Sequence, residues 1–195
     1  VLGFYGALPG AAARRNGPSR PRDSRDMLRV STLAQVINAL DAAGVRFLVA
    51  GGLAVVAHGH ERLTADCDLV VDLARDNAAA AIRTLLAMGY VPRVPVDAWG
   101  FADAEVRRRW VLEKHMVAFP LHDPARQLPA LDLFASAPFD FDAEYSRAQV
   151  YPLEGTEGLR VVAIEALLAM KRVAGREKDL ADIAALCRIH GLDPT

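Results

Sequence analysis

Residues 49–72, VAGGLAVVAHGHERLTADCDLVVD, constrain this chain more than any other stretch. An apolar run over 45–50 predicts a buried strand that ends in Gly51-Gly52. A short apolar helix over 53–58 follows, then a loop, then a second strand over 63–71 carrying Asp66-Cys67-Asp68. Alternate residues of a strand share a face. Asp66 and Asp68 therefore present two carboxylates side by side, while Cys67 points the other way. Adjacent carboxylates repel, so a fold that keeps them together usually supplies a cation. Oxygen-only ligands select a hard ion, Mg²⁺ or Mn²⁺. The Gly-Gly turn precedes a helix start, where free N–H groups favour a phosphate. These features read as a phosphate cradle facing a metal-binding carboxylate pair.

A third carboxylate stands in a later apolar run. The segment 128–134 predicts a strand in which Asp132 alternates with Leu131 and Leu133. A carboxylate in such a strand is costly unless it is paired or binds a metal. An ion pair with an arginine is the plain alternative.

Strand, Gly-Gly, short helix, Asp-x-Asp and a later strand aspartate together resemble the nucleotidyltransferase superfamily that includes DNA polymerase beta. The resemblance implies an α/β (α+β) fold: a mixed sheet of about four to six strands, helices packed on it, and a helical C-terminal part. It also implies that Asp66, Asp68 and Asp132 are catalytic and hold two Mg²⁺ ions, and that Gly51 and Gly52 bind the nucleotide.

The rest of the chain is read in order. Residues 1–26 are rich in Gly, Pro, Ala and Arg without a period and predict a disordered leader. A helix over 31–43 is expected, capped by Ser31 and stopped by Gly44. His58 and His60 fall in a turn expected near the substrate, and Asp72 is expected to cap a helix over 75–88. A short strand over 90–93 and a helix over 101–109 follow. That helix carries Arg107-Arg108-Arg109, a charged run read as a solvated face, with a phosphate role as the lesser alternative. The segment 111–121 is strand-like. A short helix over 142–148 offers Tyr145 and Arg147 as rim residues. A hairpin over 150–153 and 159–162 precedes two final helices, 164–173 and 178–190. The expected division is a leader (1–26), a core (27–162) and a C-terminal helical segment packed on it (163–195).

The segment 169–183, AMKRVAGREKDLADI, resembles the end of bacterial AbiEii/MNT-like nucleotidyltransferases. On charge alone, Lys171, Arg172, Arg176 and Lys178 belong to a salt-bridged helix pair with Asp179 and Asp182. The resemblance instead moves Lys171, with Arg176, towards holding the triphosphate. It implies transfer of a nucleoside monophosphate from an NTP such as ATP to an acceptor hydroxyl of tRNA or a protein. Such proteins act as toxin–antitoxin components, with a cognate toxin or antitoxin partner. Two alternatives stand beside this: a non-catalytic antitoxin or binding module that keeps the scaffold, and an aminoglycoside nucleotidyltransferase.

Composition narrows the setting. The chain has 195 residues, 52% of them hydrophobic, and a formal net charge of -1. No basic excess announces nucleic-acid binding. The longest apolar run, 47–57, is too short to span a bilayer, so no membrane partner is expected. Two cysteines, Cys67 and Cys187, suggest no disulfide framework. No signal peptide is read at the start, and the expected location is cytoplasmic.

Overall fold

Among the described residues the apolar runs assemble into one mixed sheet of seven strands with helices packed against it. The computed structural model describes residues 24–64 and 66–193, with side chains described from residue 32. The elements in chain order are α1 (Ser24–Ala42), β1 (Phe47–Ala50), α2 (Gly51–Ala57), β2 (Asp66–Val71), α3 (Arg75–Ala87) and β3 (Val91–Pro92). A 3-10 turn (Ala98–Ala102) then leads to α4 (Ala104–Lys114), β4 (Ala118–His122), β5 (Ala130–Phe134) and α5 (Phe141–Arg147). The chain finishes with β6 (Gln149–Tyr151), β7 (Leu159–Val161), α6 (Ile164–Ala174) and α7 (Glu177–His190).

The strand order is β3-β4-β5-β2-β1-β7-β6. The centre, β5-β2-β1-β7, mixes directions: β2 runs parallel to β5 and antiparallel to β1, and β1 runs parallel to β7. All four residues of β1 are buried, as a central strand covered on both faces requires. In α1, Leu33, Val36, Ile37 and Leu40 line the buried face at helical spacing. One apolar cluster joins Leu33 of α1, Leu85 of α3, Leu131 of β5, and Leu167 and Leu186 of the last two helices. The C-terminal helices therefore share the core of the sheet, and each fully buried leucine contributes roughly 1.5–3 kcal/mol.

Four sequence expectations need correction. Over the described residues the sheet has seven strands rather than the four to six that the resemblance implies, because the short edge pieces read over 90–93 and 150–153 both join it, as β3 and β6. Helix α1 begins at Ser24, seven residues before the expected cap at Ser31. Residues 24–26 of the expected leader thus lie in this helix, and the rest of that leader, 1–23, lies outside the described residues. The strand-like reading of 111–121 fails over its first part, where α4 runs on to Lys114. Asp103 caps that helix with its carboxylate, accepting from the N–H groups of Glu105 and Val106 at 2.9 and 3.0 Å. Arg107 and Trp110, three apart, form its buried face. His115 closes the helix in the left-handed conformation, and only then does β4 begin. Among the described residues no helix is long and apolar enough to cross a membrane.

Candidate active site

The site is built where β1 ends and β2 begins. Gly51 follows the buried strand at φ 57°, in the left-handed region. A Cβ placed on Gly51 would stand 1.8 Å from Oδ2 of Asp68. Only a glycine leaves room for that carboxylate against the turn. The next residue, Gly52, donates its backbone N–H to the Asp68 carboxylate. A Cβ on Gly52 would meet Oγ1 of Thr64 at 2.3 Å and Nη2 of Arg62 at 3.0 Å. The loop from α2 to β2 therefore lies directly over the Gly-Gly turn.

Register sets the three aspartates on one face. Asp68 of β2 pairs with Ala50 of β1 on one side and with Asp132 of β5 on the other. Asp66 lies two residues back on β2 and shares its face. Cys67 points to the opposite face, where it is buried at 1% exposure, and burial pushes its thiol upward. Burial, then the nearby charges of Asp132 and Asp66, hold Asp68 above the usual carboxylate range. Burial and Asp66 do the same to Asp132, and Arg93 opposes them. The cluster is thus short of positive charge.

The donor set fits a hard divalent cation: three carboxylates on one face of two neighbouring strands, two of them destabilised as anions by burial and then by a nearby carboxylate. Among the described residues no trio of His, Cys, Asp or Glu is already closed into a metal-holding cluster. The aspartates share a face without forming a finished cage.

The C-terminal helices bring cations to the same end of the sheet. Lys171 Nζ donates to Asp179 Oδ1 at 3.1 Å and to Asp182 Oδ2 at 2.7 Å. The lysine is 5% exposed, and the two aspartates are 1% and 3% exposed. Arg176, exposed on its outer side, holds Asp179 through Nε at 2.6 Å. Against the cost of burial, Arg176 and Lys171 keep the Asp179 carboxyl below its usual range. Lys171 and Arg176 both act electrostatically on Asp68. These contacts are the ion pairs of a salt-bridged helix pair; the ammonium of Lys171 is buried between two carboxylates rather than open to a phosphate.

Replacing Lys171 with alanine should therefore cost about 3 kcal/mol of stability, since it strips a partner from two buried carboxylates. A urea midpoint measures this. An unchanged midpoint would show that the ion pairs carry no net stabilisation.

Other expected residues lie elsewhere. Arg107 is buried, its guanidinium donating to the Phe101 carbonyl and, at 3.1 Å, to that of Leu73. Arg108 pairs with Glu105. The arginine run is thus divided between a structural and a surface role. Tyr145 lies under the guanidiniums of Arg46 and Arg160, at 4.8 and 4.6 Å from the ring centre. Arg46 precedes β1 while Gly51 follows it, so Tyr145 stands at the far end of that strand rather than on the site's rim. Arg147 pairs with Glu144. His58 is buried, its Nε2 bound to the Val162 carbonyl at 2.9 Å, so it belongs to the core and not to a substrate-facing turn. His60 Nε2 lies 3.9 Å from Asp182. Asp72 accepts from the Ala74 N–H at 3.0 Å and from Arg46 at 2.9 Å; it shapes the turn before α3, whose cap position is Ala74.

Sequence reasoning passed over Arg62, Thr64 and Arg93. None sits in a period or a marked spacing, and each is defined by what the fold lays against it. It also passed over a cavity of about 230 Å³ beside Asp66, walled by Thr32 and Leu33 of α1, Leu53 of α2, Thr64, and the segment 126–130. Such a space is open to a substrate group next to the carboxylates.

The family model described as aminoglycoside-2''-adenylyltransferase matches residues 32–186. No curated protein sequence gives a match. The chain is similar to the solution structure of the antibiotic-resistance factor ANT(2'')-Ia, with 15% identity, 84% of each chain covered and a TM-score of 0.54. It is similar to the crystal structure of ANT(2")-Ia in complex with adenylyl-2"-tobramycin, with 15% identity, 82% of this chain and 87% of that one covered, and a TM-score of 0.55. An antigenic nucleotidyltransferase-like protein from Paracoccidioides brasiliensis is similar at 18% identity, covering 84% of this chain and 75% of its own, with a TM-score of 0.50. At these identities the structural likeness speaks for the fold.

Proposed function

We propose, from the premise that the chain belongs to the aminoglycoside-2''-adenylyltransferase family, that this nucleotidyltransferase moves a nucleoside monophosphate from an NTP to a hydroxyl of an aminoglycoside. The observation that carries the chemistry is Asp68, held against the Gly51-Gly52 turn with Asp132 in register beside it. The acceptor class is supported by the family match and by the tobramycin product bound to a structural neighbour.

Asp66, Asp68 and Asp132 would hold Mg²⁺ or Mn²⁺, which when bound supplies Lewis-acid polarisation of the phosphoryl oxygens and lowers the pKa of a coordinated hydroxyl. This chain's residues do the rest. Gly51 and Gly52 carry no side chain over the turn, so phosphate oxygens can approach the backbone closely. Asp132 takes the proton from the acceptor hydroxyl. The acceptor oxygen then bonds to the α-phosphorus, the bond to the bridging oxygen breaks, and pyrophosphate leaves. Lys171 acts through space, its field moderating the negative charge at Asp68. Arg176 stands on the exposed side, where departing pyrophosphate would pass.

The test supplies each of the four α-labelled NTPs with Mg²⁺, and tobramycin in one arm, total RNA and cell protein in another. Label on tobramycin, with the mass of one added nucleoside monophosphate, is expected. Label on RNA or protein and none on tobramycin would overturn the acceptor assignment in favour of a toxin–antitoxin type. Label on none of them would count against transfer itself.

A further inference from the structure

We infer that Arg62, in the loop leading into β2, grips the phosphates beyond the reacting one, and that Asp182 on α7 is the residue that positions it; the inference rests on the nucleotidyl-transfer reading above. The guanidinium of Arg62 lies over the Gly-Gly turn, with Nη2 3.0 Å from where a Cβ on Gly52 would stand. Its Nη1 donates to Asp182 Oδ2 at 2.6 Å. Its Nε is buried and has no hydrogen-bond partner among the described residues. In a guanidinium, Nε–H and one N–H of Nη2 point along the same edge, and that edge forks onto a phosphate or carboxylate. Arg62 is therefore tethered at one end and leaves its fork edge beside the glycine turn. A buried donor without an acceptor is costly, and a phosphate oxygen on that edge would satisfy it.

Position across the sheet says which phosphates. The order runs β1, β2, β5, with Asp68 in the middle strand. Asp132 is on the β5 side, where the acceptor must meet the reacting phosphorus. Arg62 is on the β1 side, over Gly52, so the phosphates it reaches are those that leave. The other cations fit this role less well. Lys171 is buried on two carboxylates, and Arg176 is tied through Nε and Nη2 to Asp179. Asp182 Oδ2 receives both Lys171, at 2.7 Å, and Arg62, at 2.6 Å. One carboxylate oxygen thereby fixes the β2 loop to α6 and α7, and the stance of the phosphate-facing guanidinium depends on how the C-terminal helices dock.

The test is calorimetric titration of the full chain with Mg²⁺ and each NTP, then with the NTP that binds and its monophosphate. The variants are Arg62→Gln, Arg62→Lys and Asp182→Asn, each with a melting curve. Arg62→Gln should weaken the triphosphate at least tenfold and leave the monophosphate within twofold. Arg62→Lys keeps a cation on Asp182 and loses the fork, so it should weaken the triphosphate at least threefold with the fold intact. Asp182→Asn should shift the triphosphate in the same sense; because it also strips a partner from buried Lys171, the two Arg62 variants are decisive if it melts early. Wild-type triphosphate affinity in Arg62→Gln, or equal weakening of both nucleotides, would overturn the inference and leave transfer standing. No binding of any NTP by the wild type would overturn the transfer reading and this inference together.

Discussion

Asp68→Asn is expected to lower the transfer rate at least ~10³-fold, about 4 kcal/mol of transition-state stabilisation, while raising the melting temperature of the metal-free protein. The two effects have one origin. Asp68 is half-buried beside Asp132 and Asp66, and its folded-state pKa lies above the unfolded value of 3.8. The folded protein therefore holds that proton more tightly than the unfolded chain. Stability falls as pH rises from the unfolded pKa through the folded one, and at neutral pH the ionised carboxylate is a net cost. Asparagine has the same shape and an oxygen for the Gly52 N–H, and it removes the charge. Mg²⁺ should raise the melting temperature of the wild type and leave the variant nearly unmoved. A variant that melts earlier than wild type without metal would contradict the electrostatic account. One that keeps its rate would remove Asp68 from the chemistry.

Gly51→Ala should lose at least ~10²-fold in kcat/KM, about 2.7 kcal/mol, and here the paired control matters more than the variant. Gly51 and Gly44 both have positive φ, 57° and 68°. Alanine in that conformation costs roughly 1–2 kcal/mol at either position. Around Gly44 a Cβ would meet nothing within 4 Å, whereas at Gly51 it would stand 1.8 Å from Asp68 Oδ2 and 2.8 Å from the Asp68 Cβ. A clash that reaches the Cβ is not relieved by turning the carboxylate alone; strand or turn must shift. Gly44→Ala should thus lose stability and keep activity, while Gly51→Ala loses both. Full activity in Gly51→Ala would show that the carboxylate does not depend on the turn.

The parts legible in the sequence were those written as short local patterns. Gly51, Gly52, Asp66 and Asp68 follow from a strand, a turn and a period of two. The strand position of Asp132 follows from alternation with Leu131 and Leu133. What local pattern does not contain is the meeting of distant segments. Nothing near Arg62 marks it, because its place is set by Asp182, 120 residues later. Lys171 is marked as a helix cation, yet its burial between Asp179 and Asp182 appears only when α7 folds back on α6. The start of α4 reads as helix, but its continuation past Arg109 was hidden by an apolar Trp110-Val111-Leu112 that suits either period; the cap at Asp103 and the buried Arg107–Trp110 pair decide it. The acceptor is the least legible part. The cavity beside Asp66 is walled by four separated stretches, from α1, from α2, from the stretch carrying Thr64 and Asp66, and from 126–130; no local pattern marks their meeting, and the resemblance of 169–183 alone ranks tRNA or protein ahead of an aminoglycoside. The family match reverses that order. It supports the nucleotidyltransferase superfamily and is not itself a match to the AbiEii/MNT-like type.

If Asp66, Asp68 and Asp132 form a nucleotidyl-transfer centre, pyrophosphate leaves as each nucleoside monophosphate is transferred. Purified protein, Mg²⁺, one NTP at a time and tobramycin would be followed for released pyrophosphate, with Asp68→Asn alongside. Release is expected with at least one NTP, dependent on both Mg²⁺ and acceptor, and lost in the variant. Release that persists undiminished in Asp68→Asn would contradict it.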